Sequence, residues 1–367
     1  MDRALPWSAH PSSAVTATQS GAASPIDVSR AATLPLRRLI LAASLFVAVS
    51  AVGGGAALVV WRAADSFLPL AMLRYTPFTS FLVPGLILAI GVGGTSLVCA
   101  TLAWRRSLAA VDATILAGGV LTVWIVAEVA MLRGFHWLHA LYGALGVALL
   151  GLGVHAARRT GEPRHRWVVA VTLGEAFGFL VPACAGLFAA RAGLGEAAGA
   201  ALVVAAGFVE GLALGAGQAL AFPLPVRGVR YAVLTSLAAG AVWACVMSVT
   251  VLAATTAVPP AVVVVAGVIA GVLGLVAIGA AQWVELRRHT RQAHRWIAWT
   301  AAAWLVALPW SFAPGPFVDE STPLASHLAL WGSGGVIMAY VMALMTWQGA
   351  RRLPAVAALL GSRGARA

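Results

Sequence analysis

The chain has 367 residues, of which 61% are hydrophobic and only 10% are charged. A soluble chain of this length carries roughly 90 charged residues; this one has 24 basic and 12 acidic, and its mean hydropathy is +0.91. So little charge cannot keep that much apolar surface in water, which excludes soluble, fibrous, disordered and disulfide-scaffold classes and leaves a multi-pass membrane protein. The net charge of +12 is entirely arginine. Those arginines stand singly or in pairs at the ends of apolar runs, the placement of topology signals and not of a nucleic-acid-binding stripe.

In chain order, residues 1–35 are rich in Ser, Ala, Thr and Pro without apolar periodicity and are expected to form a disordered cytoplasmic tail. Ten runs long enough to cross about 30 Å of hydrocarbon follow, at 39–61, 80–104, 109–131, 137–156, 168–190, 197–222, 231–256, 261–285, 296–312 and 325–348. With ten spans, 20 of the 24 arginines fall in alternate loops and the two tails; only Arg62, Arg74, Arg133 and Arg191 lie opposite. The positive-inside rule then places both termini in the cytoplasm. Trp61, Trp104, Trp137, Trp167, Trp283, Trp296, Trp310 and Trp347 fall near span ends, where an interfacial belt puts them. Cys99, Cys184 and Cys245 lie inside apolar runs and read as small buried hydrophobes. Exclusive use of Arg with abundant Ala and Gly points to a high-GC bacterial coding bias, hence to a bacterial plasma membrane. The fold class is therefore an all-α polytopic transmembrane helix bundle.

The second half repeats with a period near 64. Arg166-Trp167, Arg230-Tyr231 and Arg295-Trp296 open spans five, seven and nine, and Thr172, Thr235 and Thr300 follow each arginine by five or six residues. Gly211-x-x-x-Gly215-x-x-Gln218 is echoed by Gly279-x-x-Gln282; the last span offers only Gly332, Gly334 and Gly335. Each unit is a helical hairpin, so the copies are expected to be parallel repeats about an axis near the membrane normal. The organisation expected is a tail (1–35), a four-span part (36–156), a six-span part with hairpin repeats (157–350) and a cytoplasmic tail (351–367). In span two, Pro84 and Gly91-x-Gly93-Gly94 predict a kinked, closely packed helix.

The stretch Ser80-Phe81-Leu82-Val83-Pro84-Gly85 through Gly93-Gly94, with Trp124-Ile125-Val126-Ala127-Glu128, resembles small bacterial membrane proteins of about four helices. Gly174-Glu175-Ala176-Phe177-Gly178-Phe179-Leu180-Val181-Pro182-Ala183, with Glu210-Gly211 and Gln282-Trp283-x-x-Leu286-Arg287-Arg288, resembles a second group of bacterial integral membrane proteins. Both groups are uncharacterised, and the resemblance, which covers most of residues 70–350, implies no activity. In the first repeat Ala219-Leu220-Ala221-Phe222 stands where the second has Trp-x-x-Leu.

An ionisable group in hydrocarbon is costly and marks a candidate site. Glu210 lies near the middle of span six and Glu175 about eight residues into span five, so the two can face each other. Like charges at low dielectric cannot both ionise cheaply, a property that suits a proton-coupled transporter. Gln218 and Gln282 lie near the cytoplasmic ends of spans six and eight, where their amides can bridge helices or bind a polar substrate. Asp112 lies at the start of span three, placed to satisfy a helix N-terminus. Glu128, His136 and His139 form an outer-face cluster with metal-binding or proton-responsive chemistry, lacking a fourth ligand unless Asp65 or Glu196 folds in. No acyl-transfer elbow, phosphate-cradling loop, H-E-x-x-H or haem motif is present, so the sequence assigns no catalytic residue, cofactor, metal ligand or nucleic-acid partner. The function expected is transporter- or permease-like, with a polar path near the buried glutamates and a substrate the sequence does not name. A non-catalytic scaffold or assembly partner and an intramembrane lipid-modifying enzyme are the alternatives.

Overall fold

The computed structural model describes residues 25–60, 68–76, 78–107, 109–318 and 322–364. Residues 1–24, Trp61, Arg62 and Asp65 lie outside the described residues, so most of the expected tail and the proposed ligand Asp65 do too. The chain divides into two compact units, 1–39 and 40–367. The first, as far as described, is the beginning of helix α1 (Pro25–Val60), which starts inside the stretch expected to be disordered.

The second unit is an all-α bundle. After α1 come α2 (Leu82–Trp104), α3 (Ala109–Leu132), α4 (Trp137–Thr160), α5 (Pro163–Arg191), α6 (Glu196–Ala221), α7 (Gly228–Thr255), α8 (Pro260–Leu286), α9 (Arg295–Phe312), α10 (Leu324–Ala350) and a short α11 (Pro354–Gly364). The first ten include ten candidate spans, at the positions the hydropathy predicts. Helix is the form an apolar chain must take in lipid, because it satisfies every backbone group within the segment. The ends carry the expected punctuation: Pro163 and Pro260 open α5 and α8, and α4 ends in Arg158, Arg159 and Gly161, the last at φ 65°. In α2, Pro84 sits in the first turn, where its missing N–H costs nothing, and the departure from α geometry is a π stretch over Ile87–Gly94.

Small residues set the helix spacing. A Cβ on Gly85 would stand 2.8 Å from the Gly55 carbonyl oxygen, and one on Gly217 2.5 Å from that of Ala170. On α6 the glycines Gly207, Gly211 and Gly215 form one ridge at four-residue spacing and receive α7, while the face bearing Glu210, Ala213 and Gly217 receives α5. Helices α5 to α10 touch in sequence, and α10 also touches α5, so the three hairpins close into a ring of six helices. Helix α10 further packs on α3, joining the ring to the four-span part.

Candidate functional site

The arginine-rich end of the ring is closed by a polar and aromatic layer built from the repeat. Gln282 Nε2 donates to Gln218 Oε1 (2.7 Å) and to Thr235 Oγ1 (3.1 Å), and Gln282 Oε1 accepts from Trp296 Nε1 (2.7 Å). Gln218 Oε1 also accepts from Tyr231 OH at 3.2 Å. Both glutamines, Thr235, Tyr231, Trp167 and Trp296 are fully buried. The third hairpin completes the pattern at a residue the sequence did not single out. Thr346 lies 64 residues beyond Gln282, is fully buried, and its Oγ1 accepts from Trp167 Nε1 at 3.3 Å; the Ala343 carbonyl accepts from the same nitrogen at 3.2 Å. The aromatic at the start of each hairpin thus donates to the return helix of the hairpin before it, with the first donating to the last.

Phe222 packs edge-on to Trp167 (5.1 Å) and 5.7 Å from Trp296, filling the position that Leu286 occupies one repeat later. Trp167, Trp296 and Trp347 are therefore core residues and not the interfacial anchors their place near span ends suggests; Trp104 and Trp137, 74% and 64% exposed, fit the anchor role. Below the layer, buried Glu285 holds α8 to the start of α7 by accepting from the Arg227 amide (3.1 Å) and pairing with Arg230 (3.4 Å) and His289 (3.0 Å).

Beyond this layer the ring is not filled. A cavity of about 720 Å³ is lined by residues from all six helices, from Glu175, Glu210 and Ile278 to Leu187, Phe312 and His327 toward the other end. Gly178 packs on the Glu210 backbone and Gly174 on that of Ala213, so Glu175, between them on α5, stands within about one turn of Glu210. Glu210 Oε2 accepts from Trp243 Nε1 at 2.5 Å. Trp243 reaches it because its indole lies in the notch left by Gly207, one turn from Glu210. Glu175 is fully buried, and neither of its carboxylate oxygens has a hydrogen-bond partner among the described residues. The two glutamines are thus in the closing layer, and the two glutamates on the cavity.

The outer-face cluster resolves differently. His139 Nδ1 accepts from the His136 amide (2.9 Å), and His136 Nδ1 accepts from the Leu138 amide (3.3 Å). The pair is a capping box at the N-terminus of α4, which uses one nitrogen of each imidazole for the backbone. Glu128 Oε2 is 3.9 Å from His139 Nε2, too long for a hydrogen bond. All three line a separate cavity of about 560 Å³ between the first four spans. Glu196 opens α6 and does not line that cavity, and no group of three or more His, Cys, Asp or Glu among the described residues could hold a metal ion.

Sequence reasoning also missed partners that are distant in the chain. Asp112, in the first turn of α3, pairs with Arg164 (2.8 Å) and His165 (3.3 Å), and His165 Nδ1 meets Thr160 Oγ1 at 2.8 Å. This cluster ties the four-span part to the ring. Cys99 is buried, but Cys184 and Cys245 are exposed, on outward faces of α5 and α7 that the run of apolar residues did not reveal. Comparison with known proteins finds no match: no family model, no curated protein and no solved structure is similar to the chain.

Proposed function

We infer that the six-helix ring is the working part of a transporter- or permease-like membrane protein, and that its cavity is the binding site. The observation that carries this reading is the cavity itself, which is closed at the arginine-rich end and reaches Glu175 and Glu210. A scaffold needs a filled, dry interior around buried acids, and an unpartnered carboxylate beside about 720 Å³ of space is the reverse of that design. A lipid-modifying enzyme at Glu128, His136 and His139 is less well supported, because both imidazoles serve a helix cap. The positive-inside rule adds a cytoplasmic location for the closed end and for both termini, and the arginine-only coding bias a bacterial plasma membrane.

Accessibility of the cavity tests the reading. Cys99, Cys184 and Cys245 are replaced by alanine, and single cysteines are introduced by Ser311→Cys, on the cavity, and Thr235→Cys, in the closing layer. The purified protein in nanodiscs is then treated with N-ethylmaleimide. The expected result is rapid alkylation of Ser311→Cys and none of Thr235→Cys until the protein is denatured. A Ser311→Cys protein that reacts only after denaturation would remove the binding-site reading.

A further inference from the structure

On the reading that the cavity is a binding site, we propose that its ligand is a bulky, lipophilic organic cation carrying a single positive charge, held with its charge between Glu175 and Glu210. The two carboxylates cannot both ionise cheaply, so the pair presents one negative charge, and the charge that compensates it comes from an occupant. No arginine is among the described residues lining the cavity, the chain contains no lysine, the histidine on its wall, His327, lies toward the other end, and both Glu175 oxygens are buried without a partner. Glu210 has only the Trp243 N–H, a neutral donor. Carboxylates inside a membrane protein pair with one another or with a positive group, and the one charge left on this pair presents a site for a cation.

The size and surface of the cavity define which cation. At about 720 Å³ it lies in the range of small-molecule pockets, roughly 300–1,000 Å³. A bare metal ion does not fit the chemistry: calcium needs about six to eight oxygen ligands, and magnesium an octahedral set. Apart from Ser311 and His327 the remaining walls are apolar and aromatic, with Phe179, Trp243, Trp304 and Trp331 among them. Aromatic faces attract organic cations by the cation–π effect while their edges and the aliphatic side chains receive apolar substituents. A neutral apolar ligand would fill the same volume and leave the Glu175 carboxylate without a partner.

The way in also favours a lipophilic molecule. Helix α8 forms one wall, yet only 6% of its most apolar window is buried, against 17–39% in the other nine spans. Its close packing lies mostly in its second half, where Gly274 meets Val242 and Gly279 lies against Ile297; in the first half Ala270 is buried, but Gly267 and Gly271 have no heavy atom within 4 Å of where a Cβ would stand. The cavity is therefore flanked by a helix that is thinly packed over its first half, a lateral route for a solute dissolved in lipid.

Equilibrium binding of radiolabelled tetraphenylphosphonium to the full chain in nanodiscs, with empty nanodiscs subtracted, tests this. Saturable binding is expected, weakened about tenfold or more by Glu175→Gln and retained by Glu175→Asp. Neutral triphenylphosphine oxide should not compete. Competition by the neutral compound, or unchanged binding in Glu175→Gln and Glu210→Gln, overturns the charge requirement while leaving an apolar binding site. Absence of saturable binding in a protein whose Ser311→Cys variant is alkylated overturns the ligand class alone. Absence of binding together with an unreactive Ser311→Cys overturns the underlying reading as well. If the glutamine variants fail to fold, the cation-against-neutral comparison in the unaltered chain still decides.

Discussion

Gln282 is the residue on which most of the closing layer depends, since it accepts one hydrogen bond and donates two. Interhelical side-chain bonds in membranes average about 0.6 kcal/mol each, so Gln282→Leu is expected to cost about 2 kcal/mol and to leave the Trp296 indole N–H stranded. Thr346→Val is expected to cost no more than about 0.6 kcal/mol, because Trp167 keeps the Ala343 carbonyl. Reversible unfolding of the two variants in bicelles checks the order; equal losses would mean that the layer is not organised around Gln282. The amides at 218 and 282 were legible as a pair from their spacing. The third member was not, because Thr346 replaces an amide with a hydroxyl and shares only the position. Only the 64-residue offset pointed to it.

At the scale of helices, glycine decides where neighbours approach and where they stand off. A Cβ on Gly211 would lie 2.5 Å from the Ala239 Cβ and 2.8 Å from the Ser236 Cα, so Gly211→Ala has to push α7 away from α6. Overpacking of this kind costs about 1–3 kcal/mol. Gly271 on α8 meets nothing, and there alanine should be neutral or stabilising by about 0.5–1 kcal/mol through helix propensity. Thermal unfolding of both variants is the check, and a Gly271→Ala protein as damaged as Gly211→Ala would show that α8 packs along its whole length. The ten helices and their ends were readable from hydropathy, proline and arginine, because each of those signals is local. Which glycines are contacts was not readable: Gly211 and Gly271 sit in similar apolar surroundings, and only the neighbouring helix tells them apart. The same limit misassigned Trp167, Trp296 and Trp347, whose place near span ends says nothing about whether the ring turns outward or into the bundle.

Over the whole molecule, an even number of spans returns the chain to the side on which it began. Fluorescent reporters fused to either end are expected on the same side of the membrane, the cytoplasmic side if the arginine distribution governs insertion. Opposite sides would mean that one of the ten helices does not cross. The ring itself follows from the repeat: three hairpins of similar length, each opening with an arginine and a large aromatic, bury the aromatic against the preceding return helix until the last meets the first. What the repeat does not specify is its departures. Glu175, Glu210 and Trp243 have no acidic or indole counterparts 64 residues on, and they cluster on the cavity. A threefold pattern that builds the closed end and asymmetric polar residues placed beyond it separate the part that seals from the part proposed to bind.

The most direct measurement is a high-resolution structure of the chain in lipid nanodiscs, inspected in the region bounded by Glu175, Glu210, Trp304 and His327. A continuous cavity is expected there, holding water or non-protein density, with the Gln218–Gln282–Trp296 layer closed beside it. Side chains packed against both glutamates, with α8 in contact with its neighbours from end to end, would contradict it.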